Sequence, residues 1–124
     1  MIVLTGAAGF IGSRILKYLN DQGRDDVILF DDLGQADQFK NLIGKKHYGL
    51  YSTKEEIIDF TEIDCVIHCG AISNTLERDW SKIYKANVKS TRMWHNLCLH
   101  NNVKFIFTSS AAVHGNGKGP LNHY

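Results

Sequence analysis

Four groups of residues in this chain have types and spacing suited to chemistry. Gly6, Gly9 and Gly12 recur every third residue directly after the apolar run Ile2-Val3-Leu4-Thr5. Asp31-Asp32 follow a second apolar run, Val27-Ile28-Leu29-Phe30; Gly70-Ala71 follow a third, and Ser109-Ser110 follow a fourth. Glycines between a strand and a helix suit a dinucleotide diphosphate. The first permits a tight turn, the second lets the backbone approach the pyrophosphate, and the third lets the helix pack closely on the sheet. The helix N-terminus adds unpaired N–H groups and partial positive charge. The spacing is Gly-x-x-Gly-x-x-Gly rather than Gly-x-Gly-x-x-Gly, and a ligand-free glycine turn is the competing reading; the strand before it and the helix after it favour the phosphate site. Asp31 lies about 20 residues past Gly12, where a carboxylate accepts hydrogen bonds from an adenosine ribose. A turn-forming Asp pair is the alternative. Two carboxylates here repel a 2′-phosphate, so the expected cofactor is NAD or NADP, with NAD favoured by Asp31 and Asp32. Small residues at Gly70-Ala71 let the backbone come close to a ligand.

The elements that position these groups follow from periodicity. Ile11, Ile15 and Leu19 are four apart, one face of a helix that begins at the third glycine. Val27 to Phe30 is continuously apolar, as in a strand covered on both faces. Residues Asp37 to Ile43 form a short helix, and Lys46 to Leu50 a weak third strand. Thr53 and Glu56 have capping-box spacing for a helix start. Asp64 to His68 is the fourth strand. A long helix over Trp80 to His100 carries Met93, Trp94, Leu97 and Cys98 as its inward stripe, which is core rather than a cofactor box. Val103 to Thr108 is the fifth strand, and His114 to Tyr124, with the chain's only proline, reads as loop. Strands alternating with helices predict an α/β fold, a doubly wound parallel sheet of order 3-2-1-4-5. The four groups then all lie at C-terminal strand ends, where such sheets bind ligands.

Composition narrows the function. At 124 residues the chain holds one domain at most, and its net charge of +1 comes without a basic block. That speaks against nucleic acid or an anionic membrane as partner. No apolar run approaches the roughly 20 residues needed to span a bilayer, and the first strand begins too early for a signal peptide. The three cysteines, Cys65, Cys69 and Cys98, are expected to be reduced thiols in a cytoplasmic protein. Cys65-x-x-x-Cys69 encloses His68, but strand alternation sends His68 to the opposite face from the two thiols, so no metal site is expected.

As a set, Thr5-Gly6-Ala7-Ala8-Gly9-Phe10-Ile11-Gly12, Asp31, His68-Cys69-Gly70-Ala71, Asn87-Val88, Ser109-Ser110-Ala111-Ala112-Val113-His114-Gly115 and Pro120-Leu121-Asn122-His123-Tyr124 resemble the N-terminal portion of the extended short-chain dehydrogenase/reductases. Within that superfamily, Leu19 to Gly23, Phe39-Lys40-Asn41-Leu42, Lys54-Glu55 and Ser73-Asn74-Thr75 resemble the ADP-glyceromanno-heptose 6-epimerase family. The resemblance implies that residues 1–124 are a dinucleotide-binding domain whose substrate-binding C-terminal part is absent. It implies transient hydride transfer to nicotinamide on a nucleotide-sugar substrate. Phe10 and Ile11 would sit beside the pyrophosphate, Asp31 on the adenosine ribose and Lys54 near the cofactor. Ala71 and Ser73 would lie along its diphosphate-ribose side, and Asn87 would support it. Ser110 matches the catalytic serine or threonine and Tyr124 the catalytic tyrosine.

Two departures stand out. Where the heptose epimerases place basic or amide groups for a 2′-phosphate, this chain has Asp32 and Gln38. The family's Tyr-x-x-x-Lys is met here only as far as Tyr124. A tyrosine of pKa about 10 without a nearby cation forms little phenolate at neutral pH. The 124-residue chain alone is therefore expected to be inactive in turnover. Its fifth strand is expected to lie uncovered at the sheet edge and to favour self-association or a homo-oligomer. Two other readings remain: a sugar-nucleotide dehydratase or reductase of the same superfamily, and a non-catalytic dinucleotide-binding module completed by another chain.

Overall fold

A computed structural model of the chain describes residues 1–33, 37–52, 59–70 and 79–109, apart from the side chain of Ala86. The expected Thr53 helix start and the 114–124 loop lie outside these residues. Five short strands, β1 (Ile2–Thr5), β2 (Val27–Phe30), β3 (Gly49–Tyr51), β4 (Cys65–His68) and β5 (Lys104–Phe107), form one sheet. Their spatial order is β3-β2-β1-β4-β5 with every pairing parallel, as the alternation of strands and helices requires. The third strand begins later than its polar first residues suggested, because only Gly49 to Tyr51 run beside β2.

The register is level. Thr5 pairs with Phe30 and with His68, Phe30 with Tyr51, and His68 with Phe107. All five strands therefore end in one row. The ladder continues one residue further: Gly6 N donates to Phe30 O at 2.8 Å, Asp31 N to Tyr51 O at 3.0 Å, and Cys69 N to Thr5 O at 3.1 Å.

Each face of the sheet is packed. Ile2, Leu4, Val27 and Leu29 point to the side covered by helix α1 (Phe10–Asp21), which contributes Leu16. Val3, Ile28, Phe30 and Val66 point to the other side, where helix α3 (Ser90–His100) contributes Trp94 and Cys98. Trp94 meets Phe30 edge-on at 5.3 Å between ring centroids, a favoured aromatic geometry. Strand alternation divides the apolar residues between the two layers.

Two expectations are corrected, and the short helix after β2 is specified. Ile11 is not on the inward stripe of α1: it is 54% exposed, while Leu16 is fully buried and Ile15 and Leu19 are only partly so. The stripe turns because Gly12 and Ser13, not Ile11, are the buried residues of the first turn. The long helix is not one regular helix. It runs as α2 (Trp80–Tyr84), a π-turn at Lys85–Lys89, then α3. The inward stripe read from the sequence, Met93 to Cys98, lies wholly in α3 beyond the π-turn, so its spacing does not reveal the inserted residue. The segment after β2 is a 3-10 helix over Gln38–Leu42, held by Leu42 against the α1 layer. β5 closes the order, with Ile106 and Phe107 about half exposed.

The correction at Ile11 has a direct test. Leu16→Ala should lower unfolding free energy by about 2–5 kcal/mol, whereas Ile11→Ala should change it by less than about 0.5 kcal/mol. Urea denaturation of both variants without ligand checks this; equal losses would restore Ile11 to the core.

Candidate functional site

The level strand ends bring three backbone turns together. Gly6 leaves β1 with φ +65°. A Cβ there would lie 2.7 Å from Gly70 N and 2.8 Å from Cys69 O, so only glycine fits between the β1 and β4 turns. A Cβ on Gly12 would lie 2.1 Å from the Gly6 carbonyl oxygen. The third glycine thus admits the helix to its own turn, rather than to the sheet as the sequence suggested. Gly9 caps the helix, donating to Gly6 O at 3.1 Å while Ser13 N donates to Gly9 O at 2.9 Å.

The start of α1 is left open to a ligand. No side chain caps it, and no acidic residue lies in its first turn. Helix geometry leaves the leading N–H groups without intrahelical partners, and with them the positive end of the dipole. Phe10 is largely exposed there, with the Arg14 guanidinium 5.3 Å from its ring centroid.

Asp31 sits beside this turn. Its Oδ2 accepts from Ala8 N at 3.0 Å and its Oδ1 from Leu33 N at 2.8 Å. Each carboxylate oxygen carries two lone pairs, so one on each remains for a further donor. Asp32 is exposed. The residue sequence reasoning missed on this side is Asn41, whose amide Nδ2 donates to Ala8 O at 2.7 Å from the 3-10 helix. Neither spacing nor composition signals it.

Behind the turn runs a buried polar chain, also missed. Thr5 and His68 are 4% and 3% exposed, so neither can leave a polar atom unpaired cheaply. Thr5 Oγ1 accepts from Cys69 N at 3.2 Å and Gly70 N at 3.1 Å. With both lone pairs engaged, its proton goes to His68 Nδ1, 2.6 Å away. On the far side of the ring, Thr91 Oγ1 donates to Asn87 O at 2.9 Å and lies 3.0 Å from His68 Nε2. Nε2 must then carry the hydrogen. This assigns the neutral Nε2–H tautomer, with both ring nitrogens occupied by hydroxyls rather than open to a metal. Burial pushes the His68 pKa down to about 4, and a proton on Nδ1 would meet a hydroxyl with no free lone pair.

Of the candidate residues, the structure brings Gly6, Gly9, Gly12, Asp31 and Gly70 around one turn. Phe10 and Ile11 lie at its exposed helical edge. Asn87 is tied to the same place through Thr91 and His68. Lys54, Ala71, Ser73, Ser110 and Tyr124 lie outside the described residues. Burial raises the pKa of Cys65, Cys69 and Cys98, which keeps these thiols protonated and poorly nucleophilic. Among the described residues no helix is long and apolar enough to cross a membrane.

A glycine turn at the head of a parallel sheet, with a carboxylate at the end of the second strand, defines a Rossmann-type dinucleotide fold. The chain belongs to the NAD dependent epimerase/dehydratase family, whose sequence pattern matches residues 2–124. Among curated relatives, ADP-L-glycero-D-manno-heptose-6-epimerase of Nitratidesulfovibrio vulgaris is 35% identical over 124 residues, covering 94% of this chain and 38% of that protein. Among solved structures, the Helicobacter pylori ADP-L-glycero-D-manno-heptose-6-epimerase superposes with a TM-score of 0.80 at 26% identity, covering 98% of this chain and 42% of that one. UDP-glucuronic acid 4-epimerase from Bacillus cereus, solved in complex with NAD, gives a TM-score of 0.77 at 25% identity over 93% of this chain and 41% of that one. The chain thus spans about two fifths of the length of the relatives it matches.

The polar chain behind the turn predicts a pH dependence. The unfolded His68 takes up a proton near its ordinary 6.5, the folded one only near about 4. Its contribution to stability is therefore complete above the upper value and is lost progressively as pH falls between the two, by at most about 3 kcal/mol. Unfolding free energy measured by urea from neutral to acid pH should show this fall, and His68→Asn should flatten it; an unchanged slope in the variant would remove His68 as the cause.

Proposed function

We propose that this chain is the NAD(P)-binding portion of a sugar-nucleotide epimerase of the ADP-glyceromanno-heptose 6-epimerase kind. The observation that carries the reading is the conjunction at Ala8: an uncapped helix start beside a carboxylate that still has acceptor capacity. The first suits a diphosphate and the second suits ribose hydroxyls. The residues present fit the group, since Gly6 and Gly12 let the β1 turn, the β4 turn and the helix start meet at one point, which a Cβ at either glycine would prevent.

When bound, the nicotinamide supplies reversible hydride acceptance. The chain's own residues do the rest. Phe10, Ile11 and Gly12 present backbone N–H groups to the diphosphate, with Gly9 capping the helix they lead and Gly6 and Gly70 keeping the approach narrow. Asp31 orients the adenosine ribose, and Asp32 adds negative charge that disfavours a 2′-phosphate, so NAD is preferred to NADP. Lys54, Ala71 and Ser73 line the cofactor, and Asn87 supports it from the helix. Ser110 orients a sugar hydroxyl, and Tyr124 takes that hydroxyl's proton during oxidation and returns it during reduction. Both roles rest on the family motif. The nucleotide-sugar resemblance comes from the heptose 6-epimerases of N. vulgaris and H. pylori. No observation favours a dehydratase, a reductase or a non-catalytic module over this reading.

Isothermal titration tests it. The protein should bind NAD more tightly than NADP. Asp31→Ala should weaken NAD binding by about 10- to 100-fold, since hydrogen bonds from hydroxyls to a charged acceptor are lost. An affinity that ignores Asp31→Ala would overturn the assignment, and a preference for NADP would overturn the role given to Asp32.

A further inference from the structure

Ala8 is fully buried at the tip of the glycine turn and is held at both of its backbone polar groups. Its N–H donates to Asp31 Oδ2 at 3.0 Å, and its C=O accepts from Asn41 Nδ2 at 2.7 Å. The acceptor is a carbonyl, so the Asn41 atom facing it must be the amide nitrogen; a carboxylate or an inverted amide would set oxygen against oxygen. Asn41 is itself exposed on the 3-10 helix. That helix is anchored next door by Leu42 in the α1 layer. Its backbone carbonyl also accepts from Lys45 Nζ at 2.6 Å. The side chain is thus the link between the β2–β3 connection and the turn.

We propose that Asn41 is a positioning residue for the dinucleotide: it holds the Ala8 carbonyl so that the turn stays open and Ala8 N–H stays on Asp31. The proposal rests on the cofactor reading above. If Ala8 lost this tie, its carbonyl would be free to swing toward the helix start, where it would offer an oxygen to the N–H groups a diphosphate needs. Asp31 would lose the N–H that sets its orientation toward a ribose. Asn41 touches neither ligand group; it acts through Ala8.

Two substitutions separate the donor from the bulk of the side chain. Asn41→Asp keeps the shape and replaces the donor with an acceptor. Asn41→Gln keeps the donor on a longer stem, which an exposed position accommodates. In NAD titrations of the protein, Asn41→Asp should lose about 10-fold in affinity while Asn41→Gln stays within about 3-fold. Hydrogen exchange at the Ala8 amide, followed without ligand, should be faster in Asn41→Asp and unchanged in Asn41→Gln. If Asn41→Asp fails to fold, Asn41→Leu against Asn41→Gln makes the same contrast. Equal affinity in the unsubstituted and donor-less proteins overturns this proposal alone, as does an equal loss in Asn41→Gln. Failure of the unsubstituted protein to bind NAD, NADP or ADP-ribose overturns the cofactor reading and this proposal with it.

Discussion

The structure depends on how little space there is at Gly6. The β1 and β4 strands end level, and their turns pass so close that a Cβ on Gly6 would sit 2.7 Å from the backbone of Cys69 and Gly70. The helix start crowds the same residue from the other side, through Gly12. Three backbone segments meeting without side chains make a surface of amides rather than of side-chain groups. Backbone amides bind anions with no pKa to shift and no rotamer to lose. Everything else here either creates that meeting point or keeps it in register.

The Thr5–His68–Thr91 chain is the part that keeps it in register. Each member spends its hydrogens and lone pairs on the next, from the Cys69 and Gly70 amides through the imidazole to the Asn87 carbonyl. A buried network satisfied at every member rigidifies a site, while one partly satisfied costs more than an apolar core. This explains a neutral histidine beside Phe105, where an imidazolium would be costly: its ring stacks on Phe105 at 6.1 Å and both its nitrogens are already engaged. The chain also ties the sheet end to Thr91 of α3 and, through it, to Asn87 in the π-turn.

The glycine spacing, the β2 run and Asp31 were legible because each reports a local constraint: a turn without side chains, a strand covered on both sides, a carboxylate at a strand end. Strand order followed from alternation of elements and from the handedness of crossovers. What remained hidden was long-range. Asn41 acts on Ala8 across 33 residues and His68 on Thr5 across 63. In the sequence Asn41 lies in a short helix and in the run Phe39-Lys40-Asn41-Leu42, neither of which names its partner, and His68 lies in a Cys-His-Cys run that raised the question of zinc. Ile11 misled because one apolar face was drawn from spacing alone. The first turn of this helix buries its small residues, Gly12 and Ser13, and leaves its large ones, Phe10 and Ile11, outside.

Asp31 carries an argument about cofactor choice that spacing alone does not. In the unliganded fold its two oxygens already hold Ala8 N and Leu33 N. The carboxylate is thereby oriented before any ribose arrives, so a diol can be recognised without first ordering a free side chain. In the proposed reading the same orientation would work against a 2′-phosphate. A carboxylate held by two backbone amides cannot rotate away, and Asp32 adds a second negative charge from an exposed position beside it. A positive side chain elsewhere in the β2–β3 connection would have to outweigh both. Lys40, on the 3-10 helix, is paired with Asp37 at 3.2 Å. Under the proposed cofactor reading, discrimination between the two dinucleotides would rest on how Ala8 and Leu33 hold Asp31 as well as on its charge.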